Sequence, residues 1–204
     1  IYTRGIVDDT FLRVDDWPGT NTYKTFVGFM DDNLVAEGVI GEWKALPYDW
    51  RHELSDILER GTVIGEKDGV KNISYVSPTP TPYIVQELRR LMESSENGKV
   101  TLLTHSNGGL LAKELLRALE ITNDPLLAQV DKLILVASPQ VGTPEAIAAL
   151  LHGTTKIAKG IAREFSENMP AAYHLLPSRS YFDTVTTPVL RFSGGIANID
   201  ELAD

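Results

Sequence analysis

Residues 100–111 read Val-Thr-Leu-Leu-Thr-His-Ser-Asn-Gly-Gly-Leu-Leu. The near-continuous apolar run Val100-Thr101-Leu102-Leu103 reads as a strand buried on both faces. From Gly108 to Leu119 the pattern becomes helical, with Leu111, Leu115 and Leu119 on one line. Strand and helix are joined only by His105-Ser106-Asn107-Gly108-Gly109. That context predicts a sharp turn that strains the backbone of Ser106 and lifts its hydroxyl above the sheet edge. Small residues two before and two after the serine keep such a turn free of collisions. Gly108 fills the second position, and Thr104 stands at the first, where glycine is usual.

The alternation continues on both sides. Apolar periodicity predicts helices over Asn21–Ala36, His52–Arg60, Tyr83–Ser94 and Pro144–Leu151. Thr143 is placed to cap the last of these, with Pro144 at its first position and Glu145 complementing its dipole. Strands are expected at Val39–Leu46, Lys132–Ala137 and Pro188–Phe192, the second buried. Ile1–Pro18 reads as irregular or short strand. Two β-rich pieces flank Lys67-Asp68-Gly69 and predict a hairpin. The stretch Ser77-Pro78-Thr79-Pro80-Thr81-Pro82 is rigid and extended. Residues 61–82 thus read as a surface insertion. The expected fold class is α/β: a doubly wound, mostly parallel sheet in a single domain over residues 1–204. That sheet is incomplete, because no apolar strand followed by a glycine loop precedes Asn21. With Ile1 rather than Met at the start, the expectation is a portion of a longer chain.

Composition narrows the function classes. Across 204 residues, 19 Lys and Arg stand against 28 Asp and Glu, a net charge of −9. That balance argues against nucleic acid, which needs a basic footprint. Cysteine is absent, so disulfides, thiolate metal sites and cysteine nucleophiles are excluded. No apolar run is long enough to span a bilayer. No Walker A ending follows Gly65–Lys71, Ser193-Gly194-Gly195 lacks the dinucleotide spacing, and no metal-ligand spacing occurs. No cofactor is expected. The compartment is left open.

Four segments carry a family resemblance: Pro47-Tyr48-Asp49-Trp50-Arg51, the turn Thr104–Gly109, Ala137-Ser138-Pro139-Gln140-Val141-Gly142-Thr143-Pro144, and Ala171-Ala172-Tyr173-His174-Leu175-Leu176-Pro177-Ser178. In this order they resemble the Pro-Tyr-Asp-Trp-Arg, His-Ser-X-Gly-Gly, Gly-Thr-Pro and Tyr-X-Leu-Leu-Pro-Ser motifs of the lecithin:cholesterol acyltransferase-like branch of the α/β-hydrolases. The resemblance implies ester chemistry by a Ser–Asp–His triad through an acyl-enzyme, on a small-molecule ester or lipid. It makes Ser106 the nucleophile and the Asn107 N–H an oxyanion donor.

The remaining triad members have no motif here. In the resembled branch the acid and then the histidine lie well beyond the stretch that ends at Ser178. Asp200, after the strand at Pro188–Phe192, is a candidate acid by generic α/β-hydrolase order, against a solvated acidic tail. His152 and His174 follow the serine and are candidate bases, against surface or helix-end histidines. His105 is expected to point back into the protein. Tyr48, Asp49, Trp50 and Arg51 read as an ion pair and aromatic lock. Two function classes stay open: a serine esterase, lipase or acyltransferase, and an inactive binding module that keeps the fold without the triad Asp and His. An unpaired parallel sheet edge also predicts pairing, with a homo-oligomer as one form of it.

Overall fold

The computed structural model describes residues 23–67, 70–152 and 167–186. The segment Ile1–Pro18, the hairpin turn Asp68-Gly69, the strand expected at Pro188–Phe192, and Asp200 lie outside the described residues. The chain sorts into two compact units, residues 1–138 and 139–204.

The first unit begins with α1 (Lys24–Phe29), which runs on as a π-helical stretch over Met30–Val35. Tyr23, Phe26, Val27, Met30 and Leu34 are all half-buried, as one shared apolar stripe requires. Gly38, at φ +70°, lies just beyond its end. The strand expected at Val39–Leu46 does not form; these residues run as bends and irregular chain. The apolar alternation alone cannot make a strand without a ladder partner, and no described strand pairs with it.

Helix α2 (Leu54–Arg60) leads into the hairpin of β1 (Thr62–Lys67) and β2 (Val70–Ser74). A bulge between Val63 and Gly65 shifts its register and leaves Val63 and Ile64 exposed. The opposite face is built into the core, with Ile73 only 1% exposed. Helix α3 (Tyr83–Ser94) follows the Pro-Thr stretch and buries Ile84, Leu88 and Met92. The Lys71 ammonium donates to the Glu87 carboxylate and ties β2 to α3.

β3 (Val100–His105) feeds α4 (Gly108–Ile121), and a 3-10 turn over Pro125–Gln129 leads to β4 (Val130–Val136). β3 and β4 pair in parallel, from Val100 against Val130 to His105 against Val136. Leu111, Leu115 and Leu119 of α4 lie in one core with α2, α3 and Ile73. Val100 and Leu102 pack on that core from the sheet. The fold is thus α/β with a parallel strand pair.

The expectation that both strands are buried on both faces does not hold. Burial alternates along β3, and Leu103, Ile134, Leu135 and Val136 are 39–46% exposed. Leu102 and its ladder partner Leu133 lie on the face that packs on the core of the first unit, while Leu103 and Ile134 pair on the opposite face, and β4 is exposed on both faces towards its C-terminal end.

The second unit contains α5 (Pro144–His152), α6 (Pro170–His174) and α7 (Arg179–Thr184). Its loop Val141-Gly142-Thr143 is clamped to the stretch at Leu175–Ser178. Thr143 N–H donates to Leu175 O at 2.8 Å, and Ser178 N–H to Val141 O at 2.9 Å. Gly142 is at φ +86°, and a β-carbon there would lie 2.1 Å from Leu176 O. Two motifs separated by thirty-odd residues are therefore one structural element, and only glycine fits at its centre. Among the described residues no helix is long and apolar enough to cross a membrane.

Candidate active site

The C-terminal ends of β3 and β4 stop at the same level. His105 pairs with Val136, and the next residues, Ser106 and Ala137, are both left-handed, at φ +53° and +48°. A serine and an alanine gain nothing locally from this conformation, which costs roughly 1–2 kcal/mol per L-residue. Two such residues side by side at the strand ends mark a place where packing over-determines the backbone. The carboxyl ends of parallel strands are also where open α/β sheets bind ligands.

Ser106 is exposed, and its backbone is fixed from two sides. Its N–H donates to Val136 O at 3.0 Å, and its carbonyl accepts from Gly109 N–H at 3.1 Å. Asn107 begins α4 (φ −57°, ψ −23°), and its carbonyl accepts from both Leu110 and Leu111. Its own N–H donates to no partner among the described residues, as expected of a helix start. An unpaired donor at the positive end of a 14-residue helix suits a developing anion.

The turn is packed differently from the expectation. A β-carbon at Gly108 would meet Thr104 Cβ at 3.7 Å, an ordinary contact. At Gly109 it would fall 2.2 Å from Ser138 Oγ and 2.6 Å from Ser138 Cβ. The obligatory glycine is therefore Gly109, where α4 crosses the end of β4. Thr104 is accommodated in the usual glycine position because its hydroxyl donates to Ile134 O across the sheet at 3.2 Å.

His105 does not turn inward. It is exposed, and its Nδ1 lies 2.7 Å from the Tyr23 hydroxyl, with the two rings edge to face at 5.7 Å. On the other flank of Ser106, the Tyr48 hydroxyl lies close to Gly108; a β-carbon there would be 3.8 Å away. Burial, then the neighbouring Tyr23 phenol, pushes the Tyr48 pKa up to about 12, while the Asn107 carboxamide pulls the other way. That carboxamide acts on the hydroxyl by proximity; Asn107 Oδ1 and Nδ2 are both buried without a hydrogen bond of full geometry. Ser138 Oγ is likewise buried and unpartnered.

Asp49 and Arg51 form the expected ion pair. Arg51 Nε and a terminal nitrogen donate to the two Asp49 oxygens at 2.7 and 2.6 Å, and Arg51 N–H adds a third contact. Burial opposes ionisation of Asp49, but the Arg51 hydrogen bonds outweigh it and hold the carboxyl below its ordinary value. Asp49 N–H donates to the Tyr75 hydroxyl, and His52 lies over the Tyr75 ring at 4.8 Å. The lock therefore closes through Tyr75 and His52. Trp50, expected in it, is 50% exposed.

Ser106 and Asn107 belong to the first unit. His152, at the end of α5, and His174, at the end of α6, belong to the second. Tyr23, Ala137 and Ser138 are site features that the sequence pattern does not announce. Tyr23 reads as one more stripe residue, and nothing in an Ala-Ser pair signals a left-handed bend. Among the described residues no group of three His, Cys, Asp or Glu side chains could hold a metal ion.

Residues 82–194, more than half of the chain, match the lecithin:cholesterol acyltransferase family. The chain belongs to that family. The match runs from the start of α3 through the Ser106 turn, the Gly142 loop and the Tyr173–Ser178 stretch. It places the strand–turn–helix segment within an acyltransferase- or lipase-type family of α/β-hydrolases. No curated protein and no solved structure gives a significant match.

Proposed function

We propose that the protein is a serine hydrolase or acyltransferase that acts on carboxylic esters, lipid-like in their acyl part, through an acyl-enzyme on Ser106. The observation that carries the reading is the left-handed backbone of exposed Ser106, at φ +53° between a parallel strand and a helix start. Family membership supplies the chemical class. In this reading β3 and β4 belong to a larger doubly wound sheet.

Ser106 Oγ attacks the ester carbonyl and loses its proton to a base. The carbonyl oxygen becomes an oxyanion, and the Asn107 N–H at the head of α4 is its donor. Expulsion of the alcohol leaves an acyl-serine, which passes its acyl group to water or to an acceptor alcohol. Asp200 is proposed as acid, and His174 or His152 as base.

The test is covalent labelling by a fluorophosphonate, with hydrolysis of p-nitrophenyl acyl esters measured in parallel. Labelling and turnover that vanish in Ser106→Ala are expected. Wild-type protein that neither labels nor turns over, or labelling that persists in Ser106→Ala, would refute the reading in favour of an inactive binding module. Asp200→Ala, His174→Ala and His152→Ala assign the partners; a variant with unchanged rates eliminates its residue.

A further inference from the structure

Both residues that flank Ser106 are attended by a tyrosine. Tyr23 holds the His105 imidazole through its hydroxyl at 2.7 Å. The Tyr48 hydroxyl sits beside the Asn107 carboxamide and the first turn of α4, within van der Waals range of the Gly108 position. The Asn107 carboxamide is buried, and neither of its polar atoms has a completed hydrogen bond. A buried amide left unsatisfied is costly, and each such group in a native structure calls for an explanation. The partner within reach is the Tyr48 hydroxyl, which can both donate and accept. Burial and the nearby Tyr23 keep that phenol protonated across the neutral range.

We propose that Tyr48 is a positioning residue for catalysis at Ser106, whose hydroxyl engages the Asn107 carboxamide and so fixes the peptide that presents the oxyanion-hole N–H. This deepens the serine-esterase reading and rests on it. The two groups stand side by side without a completed hydrogen bond; catalytic hydrogen bonds commonly tighten only in the loaded complex, and the proposal has this one close there. Tyr48 itself touches no reacting atom. The Asn107 side chain translates its hydroxyl into the aim of a backbone donor, and a misplacement of an ångström in such a donor is felt in the rate.

The experiment is a double-mutant cycle in the full protein with Tyr48→Phe and Asn107→Ala, which keeps the backbone N–H. Tyr48→Phe is expected to lower kcat about tenfold with KM little changed. In the Asn107→Ala background the same change is expected to have no further effect, because the carboxamide carries the coupling. Independently of turnover, Tyr48→Phe should shift the ¹⁵N–¹H resonance of the Asn107 backbone amide while leaving Tm within a few degrees. An unmoved amide resonance, an unchanged kcat, or effects that multiply in the double mutant would each overturn the positioning role alone. Wild-type protein without Ser106-dependent labelling would overturn the esterase reading, and this proposal with it.

Discussion

Gly109→Ala tests the packing that shapes the turn. In an ordinary exposed helix this substitution stabilises by up to about 1 kcal/mol, because alanine is the better helix former. Here the new methyl carbon would sit 2.6 Å from Ser138 Cβ and 3.0 Å from Leu135 Cδ2. Rotating Ser138 removes the 2.2 Å overlap with Oγ but not the one with Cβ, which is fixed to the backbone. Restoring a contact of at least 3.4 Å requires α4 and the end of β4 to part by most of an ångström. Overpacking of this kind costs about 1–3 kcal/mol, and the fixed Cβ places it at the upper end. Set against the helix gain, the net is about 2 kcal/mol of destabilisation, or a Tm lower by about 4–8 °C for a chain of this size. Urea denaturation followed by far-UV circular dichroism measures it, with an unchanged m-value confirming that only stability moved. Ser138→Gly removes the obstructing atoms, and its Oγ has no hydrogen bond to lose. The double variant Gly109→Ala/Ser138→Gly should therefore regain most of the loss. A Gly109→Ala protein as stable as wild type, or a double variant whose losses add, would refute the close approach of α4 to β4.

Three further expectations concern the backbone and the ion pair. Because Ser106 is left-handed, Ser106→Gly should be more stable than Ser106→Ala by about 1 kcal/mol, although neither can form an acyl-serine; urea midpoints in the reverse order would show that the strain is not held. Gly142→Ala forces a β-carbon onto Leu176 O at a residue with φ +86°, and should cost about 3 kcal/mol or more, read as a lower thermal midpoint. Asp49 has a folded pKa below its ordinary 3.8, so its stabilisation is complete above that value and is lost only as pH falls through the lower folded one. Arg51→Ala removes the two side-chain hydrogen bonds and leaves only the backbone N–H and His52 to oppose burial: Asp49 should then titrate higher than in the wild type, with a loss near neutral pH of about 3 kcal/mol. Unfolding free energies measured from pH 3 to 7 distinguish the two profiles, and parallel curves would contradict the Asp49–Arg51 account.

Much of the local structure is legible from residue order. The α3 boundaries, the hairpin around Lys67–Val70, and the passage from Val100 through Ser106 into α4 all follow from apolar period and turn chemistry, which are properties of neighbouring residues. The same information marks the strand-to-helix turn on which Ser106 and Asn107 stand. It failed wherever the answer depends on what lies opposite. Val39–Leu46 alternates like a strand but has no ladder to join among the described residues. Leu103 and Ile134 look like fully buried strand residues, yet the core of the first unit covers only one face of their sheet.

At the site the division is equally physical. That a serine stands between a strand and a helix is written in five consecutive residues. That Ala137 bends beside it, that Gly109 rather than Gly108 is the residue with no room, and that Tyr23 and Tyr48 reach the two neighbours of Ser106 depend on chain segments far apart in sequence, up to 82 positions for Tyr23 and His105, meeting in space. Periodicity encodes which face of an element is apolar; only the packed chain decides which side chain from elsewhere arrives at that face, and hence what the serine can do.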